Sequence, residues 1–357
     1  PVDTVNARST GIVAGRDVAS IGLTPESATR ALAAFRLSCT AVTRRADTSG
    51  LTQPGDWAEA CAAAPTWVPS DAIRFFASYF RTVQVGDGRG LATGYYEPEI
   101  AGCRTRSAQC AVPVYAVPAD LVEVDLGAFS PTLAGKKIRG RIDGQRFVPY
   151  FDRAAIDRGA LAGRNLEIAW AADPVELFFL QIQGSGRLRL PDGSVMRIGY
   201  AGQNGRDYVG IGRLLRDRGD LQPGETSMQG IMAYLRRQPD GGAAVMAENP
   251  SWVFFRELTG AGPLGALGVP VAAGASVAAD PAFVPLGAPI FLMTDRAEAN
   301  GLWIAQDTGG AIRGANRVDT FWGAGDDART TAGGMSGRGP MLLLLPTISV
   351  TRLTSGG

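Results

Sequence analysis

Two aspartates near the C-terminal end of the chain lie in a segment of mostly small and apolar residues. The segment AQDTGGAIRGANRVDTFWGAG spans residues 305–325 and carries Asp307 and Asp319. Asp319 directly follows Val318 and shortly precedes Phe321, so its surroundings are partly apolar. Burial disfavours the charged form of a carboxyl group, and a second carboxylate nearby disfavours it further. A carboxyl group that stays protonated near neutral pH can act as a general acid.

Both aspartates also have ordinary structural interpretations. Asp307 comes before a pair of glycines, which suits a turn held by its own side chain, and Asp319 suits the end of a strand. Asp307 also begins an Asp-Thr-Gly sequence of the kind found in aspartic peptidases, which need two carboxylates that share a proton. Only one Asp-Thr-Gly occurs in the 357 residues, which argues against a peptidase.

The overall composition narrows the chemistry. The chain contains no histidine, which excludes Ser-His-Asp catalysis, Cys-His catalysis and zinc sites with histidine ligands. The net charge is +1 without a long run of one sign, so no nucleic-acid partner is predicted. The aspartates are not spaced as in a calcium loop, and no metal or cofactor is predicted. The sequence GDGRG at residues 86–90 lacks a following helix pattern, which favours a surface turn over a phosphate-binding loop.

The elements that must position these aspartates change in character along the chain. The first quarter is predicted to be helical, with Thr24 capping one helix and Ser70 capping another over residues 69–80. From about Leu91 short strands and turns are predicted, together with a helix that Asp173 caps. From about Gly262 the sequence looks entirely β. The length of 357 residues predicts one large or two ordinary domains, and 45% apolar residues predict a compact globular chain.

The four cysteines leave two interpretations open. Cys39 and Cys61 flank a loop between helical segments, and Cys103 and Cys110 flank a short polar loop, so two local disulfides are favoured. Four unpaired cysteines are the alternative. Two disulfides would suit an oxidising compartment such as the periplasm. We find no signal peptide or lipid-attachment motif in the sequence, and the longest apolar run, MLLLLP at 341–346, is too short to span a bilayer.

Several segments together resemble the membrane-bound lytic murein transglycosylase A family. The last three of these resemble the three-aspartate domain of that family, and the resemblance runs from about Leu91 to the C-terminus. In chain order, the segments are TGYYEPEI, FFLQIQGSGRL, GYAGQNGRDYVGIGRLL, SMQGIMAYL, NPSWVFF, GASVAAD, PLGAPIFL and AQDTGGAIRGANRVDTFWGAG.

The resemblance implies a fold that is mainly β with some helix. It implies a double-psi β-barrel domain, here residues 1–93 and 260–357 with the N-terminal helices, and a smaller inserted β-rich domain over residues 94–259. A groove between the domains is expected to hold the substrate. The resemblance implies a location in the periplasm, and it leaves attachment to the outer membrane through a lipid open. The resemblance implies a monomer that binds peptidoglycan glycan strands, and it leaves wall-synthesis and wall-remodelling proteins open as partners.

The activity implied is cleavage of the β-1,4 bond between N-acetylmuramic acid and N-acetylglucosamine without water, which leaves a 1,6-anhydromuramyl end. Two other functions stay open. One is a glycan-binding protein of the expansin type without catalytic activity. The other is a glycoside hydrolase that uses Asp307 and Asp319 as acid and base.

The resemblance also implies roles for particular residues. Asp319 matches the catalytic aspartate of the family, and Asp307 is expected to orient Asp319 or to raise its pKa. Asp280 completes the three aspartates, either as a turn residue of the barrel or in the substrate site. The residues expected to bind substrate are Thr93, Gly94, Tyr95, Tyr96, Gln183, Gly184, Ser185, Gly186, Tyr200, Gly202 and Asp280.

Overall fold

A computed structural model of the protein describes residues 5–355 except 135, 223, 224, 226 and 261. These residues form two compact units. The first contains the chain up to Glu97 and the part that follows Gly260, and the second is Pro98–Gly260. Residue 94, where the sequence predicts the insertion to begin, lies inside a strand that continues to Glu97, the last residue of the first unit before the insertion.

The N-terminal part of the first unit is mostly helical, and its longest helix starts as predicted. The Thr24 hydroxyl accepts a hydrogen bond from the backbone N–H of Ser27 at 3.2 Å, and Pro25 occupies the first turn. The elements are α1 (Ala7–Thr10), β1 (Ile12–Ala14), α2 (Pro25–Val42), α3 (Ala58–Ala63), α4 (Ala72–Tyr79), β2 (Phe80–Val85) and β3 (Arg89–Glu97).

The predicted start and end of the fourth helix were wrong. Ser70 lies in a short 3₁₀ turn, Pro69–Asp71, and α4 begins after Asp71 without a side-chain cap. Phe80 leaves the helix because it pairs with Pro346 of the last strand and so opens β2. Strand pairing to a distant segment therefore overrides the local helical spacing of the aromatic residues.

The second unit is a β-rich insertion with several short helices. Asp173 caps a helix as predicted, since its Oδ1 accepts hydrogen bonds from the backbone of Val175 at 2.7 Å and of Glu176 at 3.1 Å. The elements are β4 (Glu99–Cys103), β5 (Val112–Tyr115), β6 (Val122–Asp125), β7 (Lys137–Asp143), β8 (Arg146–Pro149), α5 (Arg153–Asp157), β9 (Glu167–Ala171), α6 (Pro174–Gln183), β10 (Ser185–Arg189), β11 (Val195–Gln203), α7 (Ile211–Arg218), α8 (Met228–Arg237), α9 (Ala243–Ala247) and β12 (Val253–Glu257).

Two sheets organise this second unit. The larger has the strand order β12-β11-β10-β4-β9-β5, and the smaller is the antiparallel set β6-β7-β8. Within the larger sheet β10 and β11 form an antiparallel hairpin, while β10 and β4 are parallel. Buried apolar residues such as Leu180, Leu188 and Ile198 form a core of this unit's own.

The chain then returns to the first unit and supplies most of its barrel. The prediction that everything after Gly262 is β was wrong, because two helices interrupt and follow the strands. The elements are β13 (Ser276–Ala279), β14 (Pro289–Leu292), β15 (Gly301–Asp307), β16 (Arg317–Ala324), α10 (Asp326–Gly333), β17 (Ser336–Pro346) and α11 (Thr347–Thr354).

Six strands of the described chain close into a barrel. Their order is β17-β14-β15-β13-β16-β3, and β3 pairs back onto β17. The pairs β13–β15 and β16–β3 are parallel, and the other pairs are antiparallel. Closure leaves these six strands without a free edge. The predicted mainly β fold, with a barrel domain and an inserted β-rich domain, is confirmed.

The barrel and α2 share one apolar core. Barrel residues such as Val277, Ile304 and Leu343 are buried in the same cluster as Leu32 and Phe35 of α2. A buried polar contact adds to this packing, since the side-chain amide of Gln306 donates to the backbone of Ala34 at 2.9 Å. Helix α2 therefore packs against strand β15, which ends at Asp307.

Both local disulfides are present. Cys39 and Cys61 join α2 to α3 with 5.4 Å between their Cα atoms, and Cys103 and Cys110 close the loop after β4 with 5.9 Å. The structure therefore decides between the two interpretations of the cysteines in favour of pairing. Among the helices of the described residues, none is long and apolar enough to cross a bilayer.

Candidate active site

One face of the β3–β16 pair carries a row of polar and aromatic side chains. The two strands run parallel, with Asp319 opposite Thr93 and Phe321 opposite Tyr95. Side chains alternate between the two faces of a strand, so these four residues and Arg317 project from the same face. The rings of Tyr95 and Phe321 pack with their centroids 5.0 Å apart. We refer to this set of five residues as the site face.

The opposite face of the same pair explains why this register is held. Ala92 and Val318 are opposite each other, and both belong to the buried core of the barrel. A shift of one residue would bring the polar residues into that core. The apolar residues that alternate with Thr93 and Asp319 therefore hold the carboxyl group in place.

The Asp319 carboxyl group is half-buried and has one open oxygen. Its Oδ1 accepts a hydrogen bond from the Thr93 hydroxyl at 2.6 Å. Among the described residues its Oδ2 has no hydrogen-bond partner. Burial raises the pKa of Asp319, and the charge of Asp307 adds to the rise; the Thr93 hydrogen bond and the positive charge of Arg317 oppose it without cancelling it. The prediction that the surroundings favour the protonated form of this group is consistent with that balance.

Arg317 orients the hydroxyl that Asp319 accepts from. Its Nη1 donates to the Thr93 hydroxyl oxygen at 2.9 Å and to the carbonyl of Val318 at 2.6 Å. Because a guanidinium can only donate, the Thr93 hydroxyl must direct its own proton toward Asp319. Sequence reasoning missed Arg317. The alternation Arg317-Val318-Asp319 within one strand was the signal that could have found it.

Asp307 and Asp319 lie at the same height of the barrel, on the two strands that flank β13. Ala278 of β13 is the register partner of Asp307 on one side and of Asp319 on the other. Two strand spacings separate the two backbones by about 10 Å. The barrel therefore brings together two aspartates from separate strands, the last residue of β15 and the third residue of β16.

Both oxygens of Asp307 are occupied. Its Oδ1 accepts from the backbone N–H groups of Ala266 and Thr308, each at 2.9 Å, and its Oδ2 accepts from the Tyr95 hydroxyl at 3.1 Å. Burial raises the pKa of Tyr95, and the charges of Asp307 and Asp319 raise it further, so the phenol remains a neutral donor. Asp307 is thus held rigidly against the site face.

Asp280 stands apart from these two carboxylates. It is only 6% exposed, and its two oxygens accept from the backbone N–H groups of Ala282 at 3.0 Å and Gly314 at 2.8 Å. These bonds connect the turn after β13 to the loop before β16. The arrangement favours the structural one of the two roles considered for Asp280.

The two remaining predicted residues of β3 lie on the other face. A Cβ atom on Gly94 would be 2.8 Å from the Cα atom of Ala332 and 2.9 Å from the Cβ atom of Met335, so the close approach of the α10 region requires glycine. Tyr96 lies near charged residues of α10, and burial raises its pKa. Of the tyrosine pair, only Tyr95 contacts the carboxylates.

The predicted residues of the second unit form their own group around the α6–β10 junction. Gly184 ends α6 with φ +80°, a backbone angle that favours glycine. A Cβ atom at Gly184 would lie 4.0 Å from that of Tyr200, which is 46% exposed. Gln183 is exposed beside them, and Gly202 follows an irregularity in the pairing of β11 with β12. The group comprises Gln183, Gly184, Ser185, Gly186, Tyr200 and Gly202.

Fold and site together define a barrel protein of the three-aspartate class with a β-rich insertion. The family model described as "3D domain" matches residues 275–345, and the one described as "MltA specific insert domain" matches residues 91–256. Similarity to individual proteins agrees with both. The chain belongs to the MltA family, as its motifs predicted.

Three relatives illustrate the similarity. The membrane-bound lytic murein transglycosylase A of Vibrio cholerae is 31% identical over 261 residues, which are 70% of this chain and 64% of that protein. The crystal structure of MltA from Neisseria gonorrhoeae is 38% identical, with a TM-score of 0.79 and coverage of 97% of each chain. The crystal structure of Escherichia coli MltA with bound chitohexaose is 23% identical with a TM-score of 0.62, covers 97% of this chain and 99% of that one, and shows the fold alone.

Proposed function

We propose that this protein is a lytic transglycosylase of peptidoglycan. It cleaves the β-1,4 bond between N-acetylmuramic acid and N-acetylglucosamine and leaves a 1,6-anhydromuramyl end. Membership of the MltA family supports the reaction. The observation that carries the proposal is the Asp319 carboxyl group, half-buried, with a raised pKa and with Oδ2 open among the described residues.

The first step is donation of a proton by Asp319. Its carboxyl O–H protonates the glycosidic oxygen as the bond from that oxygen to C1 of the muramyl residue breaks. The N-acetylglucosamine side leaves as an alcohol, and positive charge develops at C1. The Asp319 carboxylate that results is stabilised by the hydrogen bond from Thr93 and by the charge of Arg317.

The second step uses the same carboxylate as a base. It accepts the proton of the muramyl C6 hydroxyl while that oxygen attacks C1 and closes the anhydro ring. The nucleophile belongs to the same sugar, so its effective concentration is high without an ordered water. Asp319 ends the cycle protonated, as it began. One titrating carboxyl group is therefore enough.

Asp307 is a positioning residue in this mechanism. Two backbone N–H groups and the Tyr95 hydroxyl occupy its oxygens, which leaves it poorly placed to activate a water. Its negative charge raises the pKa of Asp319 and so favours the acid form at the start of the reaction. This occupancy argues against the alternative of a hydrolase with two working carboxylates.

Sugar binding is assigned to exposed polar and aromatic groups. Tyr95 offers part of a ring face beside Asp319, and in the second unit Gln183, Ser185 and Tyr200 offer hydrogen bonds and a further aromatic face. The E. coli relative with bound chitohexaose supports a glycan as ligand for this family. The disulfides support a location in the periplasm, and attachment to the outer membrane follows the membrane-bound relatives.

Analysis of the products tests the proposal. Purified peptidoglycan is digested with the protein, and the soluble fragments are examined by mass spectrometry. Anhydromuramyl ends, which lack one water compared with reducing ends, are the expected result. Reducing ends would instead identify a hydrolase. Unchanged glycan that still binds the protein would identify a wall-binding protein of the expansin type.

The variant Asp319→Asn tests the assigned residue. It keeps the shape of the side chain and the acceptor for Thr93, but it cannot transfer a proton. We expect binding of glycan strands in a sedimentation assay to persist and product formation to fall by at least about a hundredfold. Near-normal turnover in Asp319→Asn would show that another group is the acid.

A further inference from the structure

A basic cleft of about 860 Å³ lies in the first unit, next to the site face. It is lined by Arg89, Arg313, Arg317 and Arg338, with Asp87 as its only acidic lining residue among the described residues. The first of these arginines belongs to the GDGRG segment, which forms a surface turn between β2 and β3 as predicted. The turn has no evident role in the reaction itself.

The charges of the cleft arginines are largely uncompensated, and that of Arg317 also acts on the nearby Asp319. Within the described part of the chain, no carboxylate forms an ion pair with Arg89, Arg313, Arg317 or Arg338. The Oδ1 of Asp87 accepts from the backbone N–H of Arg89 at 3.0 Å, so it serves the turn. Guanidinium groups that converge on a cavity without counter-charges favour an anionic ligand.

Arg317 connects this cleft to the proposed catalytic carboxyl group. It lines the cleft, and its Nη1 donates to the Thr93 hydroxyl that donates to Asp319. Arg317 and Asp319 are two positions apart on one strand, which separates their backbones by about 7 Å. A ligand in the cleft therefore lies within a short reach of the bond that Asp319 would cleave.

We propose that this cleft, formed by Arg89, Arg313, Arg317 and Arg338, binds the carboxylates of the peptide that branches from the muramyl residue at the cleaved bond. The inference rests on the proposed function and specifies its substrate. While the peptide is attached, the lactyl carboxyl group of the muramyl residue is held in an amide and the glycan itself is neutral, so the peptide is the source of anions nearest to the bond. Arginine binds carboxylates through paired N–H groups, and the cleft is large enough for a few residues.

The test compares two substrates. One is peptidoglycan strands that keep their peptides. The other is the same strands after an amidase has removed the peptides and the lactyl carboxylates that this exposes have been coupled to methylamine, so that these strands are neutral. The variant carries Arg89→Gln and Arg338→Gln, two exposed residues outside the proposed catalytic machinery. The control is Arg74→Gln, an exposed arginine of the same unit that does not line the cleft.

We expect KM for the peptide-bearing strands to rise roughly tenfold in the double variant, with kcat little changed. KM for the stripped strands should stay within about twofold of the unaltered protein, and Arg74→Gln should change neither value. Raising the salt concentration should reduce the preference of the unaltered protein for peptide-bearing strands.

An equal effect of the double variant on both substrates would overturn the inference and leave the proposed function intact. So would unchanged KM values accompanied by loss of binding to phosphatidylglycerol vesicles, which would assign the cleft to a membrane surface. Absence of anhydromuramyl products from both substrates with the unaltered protein would instead refute the proposed function. The two failures are therefore distinguishable.

Discussion

Removal of the Thr93 hydroxyl should shift the pH profile of the reaction. In Thr93→Val, Asp319 loses the 2.6 Å hydrogen bond that stabilises its charged form. A hydrogen bond to a charged group contributes about 1.5–3 kcal/mol, and one pKa unit corresponds to about 1.4 kcal/mol. Asp319 is only half-buried and water can replace part of the loss, so we take the lower end, about one pKa unit.

The direction follows from the role of Asp319 as the acid. The rate should fall as the pH rises above the pKa of Asp319, because the proton to be donated is then absent. Since Thr93→Val raises that pKa further, the part of the pH–rate profile where the rate falls should move to higher pH by about one unit; we call this part the falling limb. The plateau rate should fall by a few-fold, because a weaker acid donates less readily.

The assay is kcat/KM against pH, measured by release of anhydromuramyl products from purified strands. Thr93→Ser is the matched control, since it keeps the hydroxyl that Arg317 orients, and its profile should coincide with that of the unaltered protein. A Thr93→Val variant that is slower but has an unshifted limb would refute the reasoning. Thr93 would then act on the substrate and not on the acidity of Asp319.

Three further predictions concern the carboxylates and a disulfide. Asp319→Asn should increase the free energy of unfolding at pH 7, as measured by urea unfolding. The pKa of Asp319 is raised in the folded state, so the unaltered protein loses stability as the pH rises from about 4 through that pKa. At pH 3.5 the variant should have no higher free energy of unfolding than the unaltered protein. Tyr95→Phe removes the hydrogen bond to Asp307. Because a hydrogen bond to a charged group contributes about 1.5–3 kcal/mol, kcat should fall about tenfold, while an unchanged circular dichroism spectrum should show that the fold is kept. Replacing Cys39 and Cys61 by serine should lower the free energy of unfolding by about 3 kcal/mol in urea titration, given the separation of 22 residues; a loss below about 1 kcal/mol would contradict the loop-entropy argument.

Predictions that depended on local pattern succeeded at several particular places. Thr24 and Asp173 cap helices because a side-chain oxygen next to the first turn can reach its own backbone N–H groups. The family of the chain could be recognised from its motifs. A prediction failed where distant pairing decided the outcome: Phe80 lies in a strand because Pro346 pairs with it.

The candidate site shows the same division between local and distant effects. Asp307 and Asp319 could be selected from their neighbours in the sequence, but nothing local indicates that both flank Ala278 of β13. Arg317 has a function near Asp319 only because Thr93, far away in sequence, lies opposite on β3. Tyr95 and Tyr96 are adjacent in sequence, yet strand alternation directs one of them to the carboxylates and the other toward α10.

Residue types and spacing alone narrowed the available chemistry: without histidine, acid–base catalysis is left to Asp, Glu, Lys, Tyr or Cys, and two aspartates in a small and apolar segment make carboxyl groups the favoured candidates. The tertiary structure decided how those carboxyl groups differ. Both carry the same side chain, but the closed barrel ties both oxygens of Asp307 to donors, whereas one oxygen of Asp319 has no donor within the described part of the chain. The reason is physical: a pKa and a free lone pair depend on burial and on neighbours in space, and those neighbours come from strands that are far apart in the sequence.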